Sequence, residues 1–194
     1  MVGQIQTWFP KSIYLVDGLL IDQLPAFEAR IKDIINSSTT RRNGMLNVDS
    51  THKVNEQLHE DLVFKDLVTA LYNNSSSFLT ELGYSQEFIA NLKIGNMWAN
   101  VSREGDFLFP HVHPSSIISG AFYVKKATGS RIKFFNELSN MFPKPQHNSP
   151  LNYDHCEYDC EPGRLIMFRS DFLHSTDRQQ SGEKIVVSFN IGFY

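Results

Sequence analysis

Two periodicities divide the chain near residue 91. Before it, apolar residues recur at helical spacing. Leu24, Phe27, Ile31, Ile34 and Ile35 fall on one face with charged residues between them, which predicts an amphipathic helix. Asp22 is placed to cap it, and Pro25 suits a first turn. A longer stripe follows in Phe64, Leu67, Val68, Leu71, Ser75, Phe78, Leu79 and Leu82, closed by Gly83 in the manner of a C-cap. Such a stripe is core packing. Ahead of these helices, Gln4 to Phe9 and Ser12 to Val16 read as strands parted by Pro10, and Asp17-Gly18 as a turn. Ser37 to Asn55 is polar and irregular, contains Asn43-Gly44, and predicts a long loop at an active-site rim.

From residue 92 the pattern shortens. Leu92 to Val101, Phe107 to His113, Ile117 to Val124, Arg131 to Phe135, Tyr153 to Asp159, Arg164 to Phe168 and Lys184 to Phe193 read as strands. Arg103-Glu104-Gly105-Asp106 is a turn between them, and Asn140 to Pro150, with three prolines, is an exposed loop. Short strands with turn signals between them predict an all-β barrel or sandwich, with the earlier helices packed outside. The chain therefore reads as mainly β with flanking helices. Residues 1–194 form one domain, with N-terminal strands and supporting helices over 1–91 and the β core over 92–194.

Composition narrows the functions open to such a barrel. Lys and Arg number 18 against 21 Asp and Glu, a net charge of −3, which gives no reason to expect a nucleic-acid or anionic-membrane partner. No apolar run approaches the ~20 residues of a membrane span, and no secretion signal opens the chain. Cys156 and Cys160 are too few for a disulfide framework, so a reducing, cytoplasmic setting is expected. A zinc clip from His155, Cys156 and Cys160 lacks a fourth ligand. His52, His59 and His147 lie in polar surroundings and read as surface residues. Asn73-Asn74-Ser75 fits a glycosylation pattern but falls mid-helix.

The candidate chemistry lies in His111-Val112-His113. If strand pairing reaches His111, residues i and i+2 point to one face and both imidazoles can share a metal. His174, at the end of a strand and short loop far downstream, is the natural third ligand. Imidazole suits iron, and a facial ligand set with open positions opposite is what an O₂-activating Fe(II) site needs.

From about Trp98 onward the chain resembles the Fe(II)- and 2-oxoglutarate-dependent oxygenases. It looks most like an uncharacterised family of them from marine bacteria and their phages. The matching pieces are Trp98-Ala99-Asn100, His111-Val112-His113-Pro114, Ser119-Gly120-Ala121-Phe122-Tyr123-Val124, Pro162-Gly163-Arg164-Leu165-Ile166-Met167-Phe168, His174 and Ser188-Phe189-Asn190. They cover roughly half the chain, in the expected order. The resemblance implies a double-stranded β-helix, or jelly roll, with Fe(II) held by His111 and His174. The wider superfamily has Asp or Glu where this chain has His113, so His113 is either a third ligand or a neighbour of the metal; direct ligation is favoured. The superfamily anchors the far carboxylate of 2-oxoglutarate with a basic residue about ten positions after the distal His. Here that residue is Lys184, where Arg is usual, and a point charge orients a carboxylate less firmly than Arg's planar fork. Ser188 and Tyr123 are further candidate donors to the cosubstrate, Asn100 and Trp98 candidate pocket residues, and Arg178 an alternative cation in an exposed turn.

What the resemblance implies is hydroxylation of a C–H bond, with release of succinate and CO₂. Two other classes stay open. One is a cupin-like three-His dioxygenase or isomerase without 2-oxoglutarate; Gly105 and the His pair fit the start of that pattern, but its acidic residue is missing. The other is a non-enzymatic ligand-binding barrel. The substrate, a small molecule or a protein side chain, is not readable, and a homodimer is the default assembly.

Overall fold

The structure is a computed structural model that describes every residue except 1–2, 8–9, 38–41, 44–47, 53 and 138–142. The described strands are β1 (Ile13–Val16), β2 (Arg42–Asn43), β3 (Val48–Ser50), β4 (Lys93–Ser102), β5 (Ile118–Lys125), β6 (Arg131–Phe135), β7 (His155–Asp159), β8 (Leu165–Arg169), β9 (His174–Thr176) and β10 (Lys184–Gly192). Helices are α1 (Leu24–Asn36), α2 (Lys65–Glu81) and α3 (Gln86–Ala90). A seven-stranded antiparallel sheet in the order β1-β8-β5-β10-β4-β3-β2 faces a three-stranded one in the order β7-β6-β9. This is the double-stranded β-helix with helices on its outer face.

Strand alternation sorts the large sheet into two faces. Outward residues such as Met97, Val101, Phe122, Met167, Val187 and Phe189 share one buried cluster with Phe27, Ile31, Leu67 and Leu71 of α1 and α2. Inward residues Ala121, Tyr123, Ile166, Phe168 and Val186 pack against Ile132 and Phe134 of the small sheet. Register orders the inward face into rows. Asn96, Asn190, Ser119 and Phe168 form one row, and Trp98, Ser188, Ala121 and Ile166 the next. Asn100, Val186 and Tyr123 follow, then Ser102 and Lys184. These rows fix which side chains share each level of the cavity between the sheets.

The helices form where the apolar stripes predict. Gly83 has φ +87°, and the bonds Gly83 N–H to Thr80 O (2.9 Å) and Tyr84 N–H to Leu79 O (3.0 Å) close α2 as a Schellman cap. Asp22 does not cap α1: a 3₁₀ turn over Ile21–Gln23 intervenes, and Gln23 takes the cap position without a side-chain bond.

Several strand expectations shift. Of Gln4 to Phe9, residues 3–7 form no strand, and residues 8–9 lie outside those described. Phe107 to His113 is not a strand. It runs beside β9 with an isolated bridge between His111 and His174; the next bond, Thr176 N–H to Leu108 O, is one residue out of register with that bridge, so no ladder continues. The loop expected over 37–55 contains β2 and β3, which extend the large sheet, while residues 38–41, 44–47 and 53 of that stretch lie outside the described set. Residues 143–150 are irregular as expected, and 140–142 lie outside it. β9 and α3 were not anticipated; each is too short to carry a period of its own.

Candidate metal centre

His111, His113 and His174 converge at one end of the barrel. One ring nitrogen of each lies within 4.8 Å of the others. Ring centroids are 4.3 Å apart for His111 and His174, and 5.1 Å for each of them to His113. The bridge between His111 and His174 is doubly bonded, at 2.9 and 3.1 Å, and the His113 N–H donates to Ser170 O at 2.9 Å. Convergence therefore comes from this paired backbone, not from the continuous strand that the H-x-H spacing suggests.

Hydrogen bonds set the tautomers. His111 Nδ1–H donates to Phe109 O at 2.7 Å and His174 Nδ1–H to Phe172 O at 2.9 Å. Each ring then presents its Nε2 lone pair inward, and without a metal His113 Nε2–H donates to His174 Nε2 at 3.3 Å. Burial lowers the pKa of all three, to about 4 for His113 and about 3 for His174, because a charged ring would be desolvated beside the other two. Three neutral imidazoles, two of them with carbonyl-fixed tautomers, could hold a metal. This is the one such cluster among the described residues, and it contains no carboxylate.

Behind the histidines lies a cavity of about 50 Å³, the room of one or two waters. Its walls include Trp98, Asn100, Tyr123, His174, Lys184 and Ser188. Thus the candidate cosubstrate residues Lys184, Tyr123, Ser188 and Asn100 share one cavity with the three histidines. Lys184 is 2% exposed, and its Nζ donates to Ser130 Oγ at 2.5 Å. Among the described residues it makes no ion pair with a carboxylate, and burial lowers its pKa. Burial also raises the pKa of the Tyr123 phenol and the adjacent Cys160 thiol, so both stay neutral beside the lysine. Trp98 Nε1 and Asn100 Oδ1 are buried without a hydrogen-bond partner among the described residues.

Not every expectation is met in place. Ser188 pairs with Trp98 and Ala121, two rows from Lys184 and roughly 13 Å along the strand, so it sits at the histidine end. Ser130 and Cys160 sit beside Lys184 instead. Neither carries a sequence signal, because Ser130 comes from the β5–β6 turn and Cys160 from the end of β7. Arg178 lies outside, its guanidinium 4.3 Å over the Phe107 ring and bonded to Gly105 O. His155 pairs with Asp154, away from any zinc clip. His147 is exposed as expected. His52 keeps a partly exposed side chain beside Glu56 while its ring packs edge-on against Trp98 at 5.2 Å, and His59 is half-buried, with Nδ1 out of contact with solvent.

Comparison with known proteins places this geometry. The family model described as "Putative 2OG-Fe(II) oxygenase" matches residues 96–190. Among solved structures, a Pseudomonas putida prolyl-4-hydroxylase is 10% identical with TM-score 0.65, over 95% of this chain and 94% of that one. The viral collagen prolyl hydroxylase of Paramecium Bursaria Chlorella virus-1, with 2-oxoglutarate, is 15% identical with TM-score 0.57, over 92% and 94%. HygX from Streptomyces hygroscopicus, with nickel and 2-oxoglutarate bound, is 11% identical with TM-score 0.63, over 94% and 83%. At these identities the likeness is one of fold. A search of curated proteins returns no significant match.

Proposed function

We propose, from the match of residues 96–190 to the 2OG-Fe(II) oxygenase family model, that this chain hydroxylates a C–H bond of a small molecule or a protein side chain. Fe(II), 2-oxoglutarate and O₂ supply the oxidising chemistry when bound, and succinate and CO₂ are released. The observation that carries the reading is one cavity with three neutral imidazoles at one end and, at the other, a buried lysine that has no carboxylate partner among the described residues.

The donor set fits the metal. His111, His113 and His174 would hold it through Nε2, with Phe109 O and Phe172 O keeping two of the rings in register. With three neutral ligands the site carries less negative charge than the usual two-His-one-carboxylate set, which favours Fe(II) over Fe(III). The far end fits a dicarboxylate. Lys184 would turn from Ser130 to the distal carboxylate, and the Tyr123 phenol is a second donor. Among the described residues Trp98 Nε1, at the histidine end beside Ser188, and Asn100 Oδ1, one row further in, lack a partner, and these two side chains would take the rest of the cosubstrate. Ser188, at the histidine end, is a candidate contact there. A cavity of about 50 Å³ is too small for a five-carbon diacid, so binding moves lining side chains. Burial of the site excludes water from it. Unpaired Cys156 and Cys160 support a reducing compartment, and no helix among the described residues is long and apolar enough to cross a membrane.

An anaerobic Fe(II) titration with and without 2-oxoglutarate tests this. A weak visible charge-transfer band that needs both, and is lost in His174→Ala, is expected. Iron binding with no response to 2-oxoglutarate would favour a cupin-like three-His enzyme. No metal binding would leave a ligand-binding barrel.

A further inference from the structure

A polar relay crosses the end of the barrel nearest the histidines, in a core otherwise packed with apolar groups. Its members are Asn96, Asn190 and Ser119, side by side in one row of β4, β10 and β5, together with Ser170 after β8. Asn190 Nδ2–H donates to Asn96 Oδ1 at 2.8 Å, and Ser119 Oγ–H donates to Asn190 Oδ1 at 2.7 Å. The Ser119 proton is thereby committed, so Ser170 Oγ–H donates to Ser119 Oγ at 2.8 Å. Ser119, Ser170 and Asn190 are 1%, 2% and 6% exposed, so this order is held away from water.

The relay ends where two of the three imidazoles take their orientation. Ser170 O accepts the His113 N–H at 2.9 Å, and Ser170 N–H donates to Ile117 O at 3.1 Å. Two residues on, Phe172 O holds His174 Nδ1–H at 2.9 Å. One short segment, residues 170–173, thus sets the backbone of His113 and the tautomer of His174. Burying three polar side chains, with Asn96 half-buried beside them, contributes little net stability, since well-packed apolar groups of the same volume usually do as well. What a fully satisfied network adds is one fixed geometry.

We propose that Ser119 and Asn190, with Asn96, are positioning residues for the metal centre, acting through Ser170 on His113 and His174. The inference rests on the three-histidine reading of the site. Neither residue touches the ligand set; they fix the segment that does. Outer partners of metal ligands typically change metal affinity 10–100-fold when removed. The relay predicts losses in about that range without a matching loss of fold.

The test is anaerobic Co(II) titration, read by ligand-field absorbance and affinity, on Ser119→Ala, Ser119→Thr, Asn190→Leu and Ser170→Ala, with thermal unfolding of each metal-free protein. Expected is an affinity drop of about 10–100-fold in Ser119→Ala and Ser170→Ala at nearly unchanged Tm. Ser119→Thr, which restores a hydroxyl on a strand that accepts β-branched residues, should recover affinity and spectrum. Should Asn190→Leu not fold, the Ser119 pair still decides. Wild-type Co(II) affinity in a folded Ser119→Ala and Ser170→Ala overturns the relay, as does a loss that follows Tm and is not restored by Thr. His174→Ala is titrated beside them. If it too binds Co(II) like wild type, the three-histidine centre falls and the relay with it. If it abolishes binding while the relay variants do not, the relay alone falls.

Discussion

Lys184 is the residue whose environment is most at odds with its chemistry. A buried ammonium with a single hydroxyl partner is costly, and a protein retains such a group where a ligand will complete it. Two opposite effects of Lys184→Met follow. Metal-free protein should become more stable, by about 1 kcal/mol or more, as the unpaired cation is removed; chemical denaturation reads it. Affinity for 2-oxoglutarate in the presence of Mn(II) should fall by about 2 kcal/mol or more, roughly 30-fold, by calorimetry. A lysine with no part in cosubstrate binding would show the first change without the second. Ser130 holds the cation with a short bond.

At the scale of elements, the site depends on helices that never touch it. Phe27 of α1 is fully buried, stacks on Phe64 at 5.4 Å and meets the Phe122 ring edge-on at 6.2 Å. Phe122 lies on β5, whose other face carries Ala121 and Tyr123 into the cavity. Phe27→Ala should cost about 3–5 kcal/mol in urea unfolding, with a cavity left at the joint of helix and sheet. A charge cluster ties the same surfaces together. Lys32 and Lys125 both bond Glu28, at 2.6 and 2.8 Å, and both reach Glu183 just before β10. Partial burial works to raise the pKa of Glu28 and Glu183, but the lysine bonds outweigh it and both are lowered. A carboxylate with a depressed folded pKa contributes stability above its unfolded value and loses it as pH falls through the folded one. Stability should therefore decline below about pH 4.5, and the double variant Glu28→Gln/Glu183→Gln should flatten that part of the profile. Because the groups are partly exposed, the effect should be under about 1 kcal/mol and shrink in salt.

For the whole molecule, metal and cosubstrate bind the folded chain alone, so both act on global stability. With Mn(II) and 2-oxoglutarate each at about 100 times its dissociation constant, the folded state gains about 2.7 kcal/mol per ligand. Differential scanning calorimetry should show a rise in Tm that a chelator reverses. His174→Ala should remove it entirely, and Lys184→Met the 2-oxoglutarate share.

Local sequence pattern was enough for the parts of this protein that depend on neighbours in the chain. The stripes from Leu24 to Ile35 and from Phe64 to Leu82 determine two helices, since their periods are long and uninterrupted. Gly83 marks the end of one because a left-handed residue is needed there. Alternation determines most strands of the core and which of their residues face inward. The three histidines could be singled out through their spacing and motif order, and Lys184 only through the resemblance to a known family. What lies between distant segments was decided by tertiary structure. Pairing of His111 with His174, the carbonyls of Phe109 and Phe172 that set the tautomers, and Ser130 on Lys184 are contacts across loops of no fixed length. Ser188 shows the limit of phase: it shares a face with Lys184, but register across β4 and β5 puts it at the other end of the cavity. Asn190 shows the same limit from the other side, since a strand asparagine acquires its role only when Asn96 and Ser119 arrive beside it.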